Sequence, residues 1–559
     1  MSIPTNIMVQ LVSILLFYVI GKLIWRAFFS PLGTFPGPFA SKFTDTWRAF
    51  LTTRGNVDAV TRGWHRKWGQ AVRIGPNTIS LSDTKLIKEV YASTTKNAWK
   101  KSKMYSVNDV VVNGQRISNI FNTHDEEFHR TYARPIAGFW TLTKILELEP
   151  LMDETIQKLV HKLGNKFAED PNPDTVCMME DWLTYFAWDF AANVTFGEHY
   201  GFIEEERDVQ GMIKESTDGL RYFAPVSQAP WLDNWLDKNP IYRIGPKPLV
   251  NGLLYTVARL ADYQKRRAEG SLTRAKVDTF IDKYHGLRDV HPDVADSNQL
   301  VSWLMLNVLA GGDSTAGALR PIVYHLGKCP ETQTRLQSEL KTARLSLPAQ
   351  WKDIHRLPYL DAVIREAARL NPAVGLMFER EVPAAGFQLP DGRFIPAGTN
   401  VGINPTVVTR DVGVFGKHVD RFVPERWLQR RDEGSDQFIR RRRQMEEAGD
   451  LMFGAGSRAC TGKHFAKVEM YKLMATLYSM FHVSVTRDMS RRAATRAHTH
   501  ACTILVAFSC DYKDERGLLT QSENEKIRLP DPNHEWNYCN AWFMYHSNIP
   551  MRITRLKHD

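Results

Sequence analysis

Cysteine is scarce in this chain: six in 559 residues (Cys177, Cys329, Cys460, Cys502, Cys510 and Cys539), none in a C-x-x-C pair. A disulfide framework is thereby excluded, and the usage is that of a body facing a reducing compartment. Long apolar runs are also short. Residues 1–21 carry no charged side chain, but the nearly continuous apolar stretch at 7–20 is below the ~20 residues that span a bilayer. Lys22 and Arg26 follow it, and their snorkelling stems extend the segment to Phe29. Positive charge after the run puts the body on the cytoplasmic side, and the missing basic n-region argues against a cleaved signal peptide. The expectation is a single-pass anchor over residues 1–29, a stiff hinge at Pro31 and Pro36-Gly37-Pro38, and one body over 30–559. No linker divides that body and no internal repeat runs through it. The net charge of +10 comes with no nucleic-acid motif. Its longest basic run, 440–443, is flanked by acids and reads as a solvated loop.

What is present is globular: 43% apolar and 11% aromatic residues, enough for a large core. The pattern over 82–300 is mostly helical, with amphipathic segments near 140–169 and 250–268. Short strands are expected at 71–74 and 79–81, split by Gly75-Pro76-Asn77, and a hairpin turn at Asp391-Gly392. The fold class is mainly α with a small β region.

Three stretches carry chemistry. Phe453, Gly456, Arg458, Cys460 and Gly462 space as F-x-x-G-x-R-x-C-x-G, followed by an amphipathic helix through Ala466, Met470, Leu473, Leu477 and Met480. The start of that helix points partial positive charge at the sulfur, which favours thiolate and suits a metal ligand. Residues 303–309 form a buried helix interrupted by Ala310-Gly311-Gly312-Asp313-Ser314-Thr315, where two glycines, each costing about 1 kcal/mol in a helix interior, precede an acid and two hydroxyls. Pro321 is expected to kink the end of that helix. Glu366 and Arg369 lie on one helix face, and Pro424-Glu425-Arg426-Trp427 follows later.

Together these resemble the cytochrome P-450 superfamily over about residues 30–555, and in particular its fungal pisatin demethylase-like subgroup. The resemblance implies a cytochrome P-450 fold with haem b, Cys460 as the axial iron ligand, and Phe453 and Arg458 against the haem. A thiolate ligand pushes electron density onto iron and favours O–O cleavage. The distal stretch is similar to the family's (A/G)-G-x-(D/E)-T-(T/S), so a local opening of the helix admits dioxygen while Asp313 with Ser314 or Thr315 relays protons. Ser314 stands where threonine is usual. Glu366, Arg369 and Arg426 become a buried charged triad that holds the cysteine loop. Ala310, Gly311, Val374 and Leu376 line the substrate pocket, and Arg380 meets a haem propionate. The family's W-x-x-x-R propionate motif is absent, which leaves His129, Arg130 and Arg134 as its substitutes.

The implied function is a haem-thiolate monooxygenase anchored in the endoplasmic reticulum. It takes electrons from NADPH through NADPH–cytochrome P-450 reductase, with cytochrome b5 as a further donor, and steering by Lys463, His464 and Lys467. It hydroxylates or demethylates an apolar small molecule of secondary metabolism. The rival readings are an isomerase, dehydratase or oxidative-coupling enzyme on the same fold, and a non-catalytic haem-binding protein. Residues 486–526 match nothing in the subgroup and read as an inserted loop or a retained intron.

Overall fold

The computed structural model describes residues 5–91, 99–112, 114–172, 175–246, 249–272, 277–486 and 536–556. Helices dominate. Those that place the site are α1 (Thr5–Ile24), α2 (Thr46–Thr53), α3 (Glu126–Ala137), α4 (Glu149–Leu163), α5 (Met179–Phe196), α6 (Met212–Ser227), α7 (Val250–Ala268), α8 (Ser297–Lys328), α9 (Pro358–Leu370), α10 (Ser435–Gly449) and α11 (Lys463–Met480). Strands β1 (Ala71–Gly75), β2 (Thr78–Leu81), β3 (Phe378–Glu381) and β4 (Asn400–Ile403) form one sheet in the order β1-β2-β4-β3, parallel only between β2 and β4. β5 (Phe481–Val485), β6 (Asn537–Ala541), β7 (Phe543–Ser547) and β8 (Pro550–Arg555) belong to two smaller sheets. The turn expected at Asp391-Gly392 joins two short paired strands, Phe387–Gln388 and Phe394–Ile395.

The long helix α8 starts where Asp296 accepts a hydrogen bond from the Gln299 N–H at 2.7 Å, a side-chain cap of its free amides. It runs as one helix to Lys328, with no break at Gly311-Gly312 and with Pro321 inside it. The glycines serve close packing instead. A Cβ on Gly312 would sit 2.8 Å from the Trp188 ring and one on Gly311 3.2 Å from the Ala191 Cβ, so the pair lets α5 lie against α8. α11 also departs from expectation: it is buried on every side from Val468 to Tyr478, Glu469 and Lys472 included, and is not amphipathic there. Basic residues 440–443 form no loop. They lie in α10, where Arg441 reaches Glu433 at 2.7 Å and Arg442 pairs with Asp361 and with Glu446 at 3.0 Å.

The anchor expected over residues 1–29 is not shown. No helix among the described residues is long and apolar enough to cross a membrane. In α1 only residues 11–21 lie between Gln10 and Lys22, ~17 Å of helix against a ~30 Å hydrocarbon core. Its apolar side chains Ile14, Leu16, Phe17 and Ile20 face outward. Apart from Thr486, the segment 486–526 lies outside the described residues. Its flanks close on each other, because β5 pairs with β8 from Phe481↔Arg555 to Val485↔Met551.

Candidate functional site

The cysteine loop is built by backbone. The Cys460 N–H donates to the Phe453 carbonyl at 2.6 Å, Gly454 and Gly456 take positive φ of 69°, and the Ala466 N–H bonds the Gly462 carbonyl at 2.9 Å to start α11. Cys460 is accessible, yet burial pushes its thiol pKa up, and the Gly462 N–H and Lys463 only partly oppose that. Both facts hold for a sulfur lining a hollow inside the molecule. The helix start was expected to favour thiolate, and the Gly462 N–H does pull in that direction, but desolvation outweighs it and a bound cation would draw the proton off.

α8 crosses this loop on the other side. A Cβ on Gly311 would lie 3.8 Å from the Phe465 ring of α11. Ala310 is exposed although α8 runs through the core, and Gly311 and Ser314 are part-exposed beside it. The Ser314 hydroxyl donates to the Ala310 carbonyl at 2.6 Å. Thr315 is 1% exposed and turned toward buried Glu469 of α11. The structure thus separates the two hydroxyls, and only Ser314 borders the hollow. Asp313, 3% exposed, accepts from Trp188 Nε1 at 3.1 Å, Ser216 Oγ at 2.6 Å and the Tyr545 hydroxyl at 3.2 Å. Burial raises its pKa and those three donors oppose the rise.

A second cluster is cationic. Lys101 pairs with Arg380 as an isolated β-bridge, and both residues are buried, at 7% and 3% exposure. Its amine lies 4.2 Å from the Tyr105 ring centre and 4.5 Å from that of Phe121 and donates to the Phe121 carbonyl. Burial, then Arg380 and Arg458, push Lys101 well below the usual lysine range. Arg458 holds Glu126 at 2.9 Å. Glu379, next in chain to Arg380, is committed to Arg48 and to Ser102 at 2.9 Å. The cluster therefore carries surplus positive charge in a buried place, which fits a flat ligand with carboxylates above an accessible cysteine.

Of the three residues expected to replace W-x-x-x-R, only His129 faces this cluster. Burial, then the Arg458 guanidinium, holds it at about 4. Arg130 and Arg134 are exposed on α3, and Arg130 lies 3.7 Å from Glu127. Lys101 was missed because one of two adjacent lysines in Trp99-Lys100-Lys101-Ser102 has no periodic signal. Phe453 is part-buried below the loop, and Val374 and Leu376 pack with Trp542, which has φ 77° at the β6–β7 turn.

The triad is present. Glu366 accepts from Arg369 Nε at 2.8 Å, Arg426 Nε at 2.8 Å, Trp427 Nε1 at 2.9 Å and the Val423 N–H at 3.0 Å. Burial opposes its charge, but the two guanidiniums win and hold the carboxyl below its ordinary range. The same arginines grip the Thr409, Val419, Phe415 and His418 carbonyls, fixing the segment that leads through Trp427 and α10 to the loop.

The cytochrome P450 sequence model matches residues 47–503. The chain is 32% identical over 551 residues to the cytochrome P450 monooxygenase cfoH of Aspergillus candidus, covering 98% of this chain and 92% of that one. It is 34% identical over 463 residues to a cytochrome P450 monooxygenase of Aspergillus terreus (81% and 90% covered), and 32% identical over 530 residues to cicH of Emericella nidulans (93% of each). With an accessible cysteine and a surplus-charge cradle in place, the conclusion is that this chain belongs to the cytochrome P450 family and is a monooxygenase whose cofactor is haem-thiolate iron.

Proposed function

We propose that Cys460 is the axial iron ligand and that Arg380, Arg458, Lys101 and His129 hold the haem carboxylates, with Phe453 packed beneath the macrocycle. The observation that carries this reading is the buried, under-neutralised trio Lys101, Arg380 and Arg458 beside an accessible cysteine. When bound, the haem supplies reductive cleavage of dioxygen and transfer of one oxygen atom to an organic substrate. The protein's part is to hold, exclude and protonate. Ser314 presents a hydroxyl on the open face of α8, and Asp313 serves as the acid behind it, while Thr315 is withdrawn toward α11. Ala310, Gly311, Val374 and Leu376, roofed by Trp542, form an apolar wall that orients the substrate and excludes water. The substrate is an apolar small molecule, hydroxylated or demethylated in fungal secondary metabolism. Support for that setting is the occurrence of similar chains in Aspergillus and Emericella.

Electrons reach the site from NADPH through NADPH–cytochrome P450 reductase on the cysteine side, with cytochrome b5 as a second donor. The cations there are Lys463 and Lys467, which lean on Asp450 at 2.7 and 3.5 Å, while exposed His464 stands beside them as a polar group whose pKa burial and those lysines lower. We place residues 1–29 at the endoplasmic reticulum membrane and the body over 30–559 in the cytoplasm. Outward Phe17, Trp25, Phe28 and Phe29, and a second exposed apolar group at Trp231, Trp235 and Ile241, support this reading. The test is turnover in membranes carrying a fungal reductase. Product that requires both NADPH and dioxygen is expected, whereas product formed without either would favour the isomerase or dehydratase reading.

A further inference from the structure

Asp313 is surrounded by neutral donors. Trp188 of α5 can only donate, but Ser216 of α6 and Tyr545 of β7 carry hydroxyls that donate to a carboxylate and accept from a carboxylic acid. The acid can therefore gain or lose a proton while two partners merely rotate. Arg320, two turns further along α8, is a cation that acts on it, and its terminal nitrogens donate to the His546 carbonyl at 3.1 Å and to Thr184 at 2.5 Å. Tyr545 is part-exposed, and the hydroxyl of Thr217, also part-exposed, lies beside its phenol oxygen. Part-exposed Thr217 and Tyr545 thus stand outside an acid that is sealed from water, and Tyr545 donates to it directly.

We propose that Thr217, Tyr545 and Ser216 form the outer half of the proton path, recharging Asp313 after it gives its proton toward Ser314. The step moves one proton and no electrons: Tyr545 hands its hydrogen to the Asp313 carboxylate as it takes another from the Thr217 side, so no phenolate forms. Burial, which raises the phenol pKa well above its ordinary value, agrees with that concerted exchange. Ser216 and Tyr545 are relay and positioning residues, because they act through Asp313. Ser216 also makes the path depend on α6, which must stay against α8 for the relay to be complete.

This inference rests on the reading that Asp313 delivers protons, and the experiment separates the two. Wild type, Y545F, S216A, T217V and D313N are loaded with haem, and the reduced carbon monoxide spectrum confirms a thiolate ligand in each. Three quantities are then compared: product formed per NADPH, the solvent deuterium isotope effect, and the infrared carboxylic acid stretch identified by its loss in D313N. Expected in Y545F are a fall of about tenfold in coupled product, a larger isotope effect and a shifted stretch, with the same directions but smaller changes in S216A and T217V. Wild-type coupling and isotope effect in Y545F, S216A and T217V would overturn the path, and so would a shifted stretch without those changes, which marks a structural contact only. If Y545F does not load haem, S216A and T217V decide by the same readouts. If D313N itself turns over like wild type, it is the underlying reading of Asp313 that fails.

Discussion

The two sides of the hollow are made of different materials. Below it, the cysteine loop is held by permanent charge: Glu366 between Arg369 and Arg426, Asp361 between Arg365 and Arg442, and buried Lys472 between Glu149 and Asp153. Above it, Asp313 is held by an indole and two hydroxyls. Buried ion pairs are costly to break and so fix a geometry, whereas neutral hydroxyls reverse direction at little cost and so let a proton pass. The side that holds the cysteine loop is charged, and the side where proton exchange is proposed is neutral.

That contrast can be broken most severely from below. Replacing Arg369 with alanine leaves Glu366 buried, at 0% exposure, with half its charge compensation gone, an expected loss of ~3–5 kcal/mol. The folded, haem-loaded fraction should collapse in an expression and denaturation assay, while Asp313→Asn should load normally. A smaller effect is expected in the cationic cradle. Lys101→Met removes a charge-assisted contact worth ~1.5–3 kcal/mol, so haem should pass to apomyoglobin about 10- to 100-fold faster. Arg134→Ala, on the exposed face of α3, should leave that rate unchanged. Equal rates in the two variants would return the propionate contact to α3.

The smallest expected effect near neutral pH comes from titration, and it grows as the solution is acidified. His129, His199 and buried His325 are each held at about 4, burial being the first cause, against 6.5 for a free imidazole. Their folded pKa values are depressed, so the unfolded chain binds more protons between pH 6.5 and about 4. Stability is then full above 6.5, falls as pH drops through that window, and levels below it. Urea midpoints measured from pH 7.5 to 4 should follow this course, and His325→Gln should flatten it. A slope unchanged by that substitution would move the effect to other groups.

Much of this was legible in residues whose spacing is fixed by the chemistry they serve. The loop around Cys460, the Glu366 and Arg369 pair with Arg426, and the strands at 71–81 stand where the sequence puts them, because glycine positions, a three-residue helix step and a two-residue strand period are local facts. What failed was set by contacts between distant segments. Gly311 and Gly312 read as a gap in a helix, but they admit Trp188 and Ala191, which lie more than a hundred residues earlier. Arg130 and Arg134 stand exposed on α3, while Lys101 lies beside Arg380 through a bridge that no periodicity announces. Arg441 and Arg442 looked solvated until Glu433 and Asp361 met them, while Arg440 and Arg443 stay exposed. That Ser314 is part-exposed while Thr315 is buried also needed the structure, since adjacent residues on a helix face different ways.

The account stands or falls on one sulfur. The dithionite-reduced protein under carbon monoxide should show a thiolate-type Soret band that disappears in Cys460→Ala and survives in Cys177→Ala. A band that persists without Cys460, or one that never forms in the wild-type protein, would contradict it.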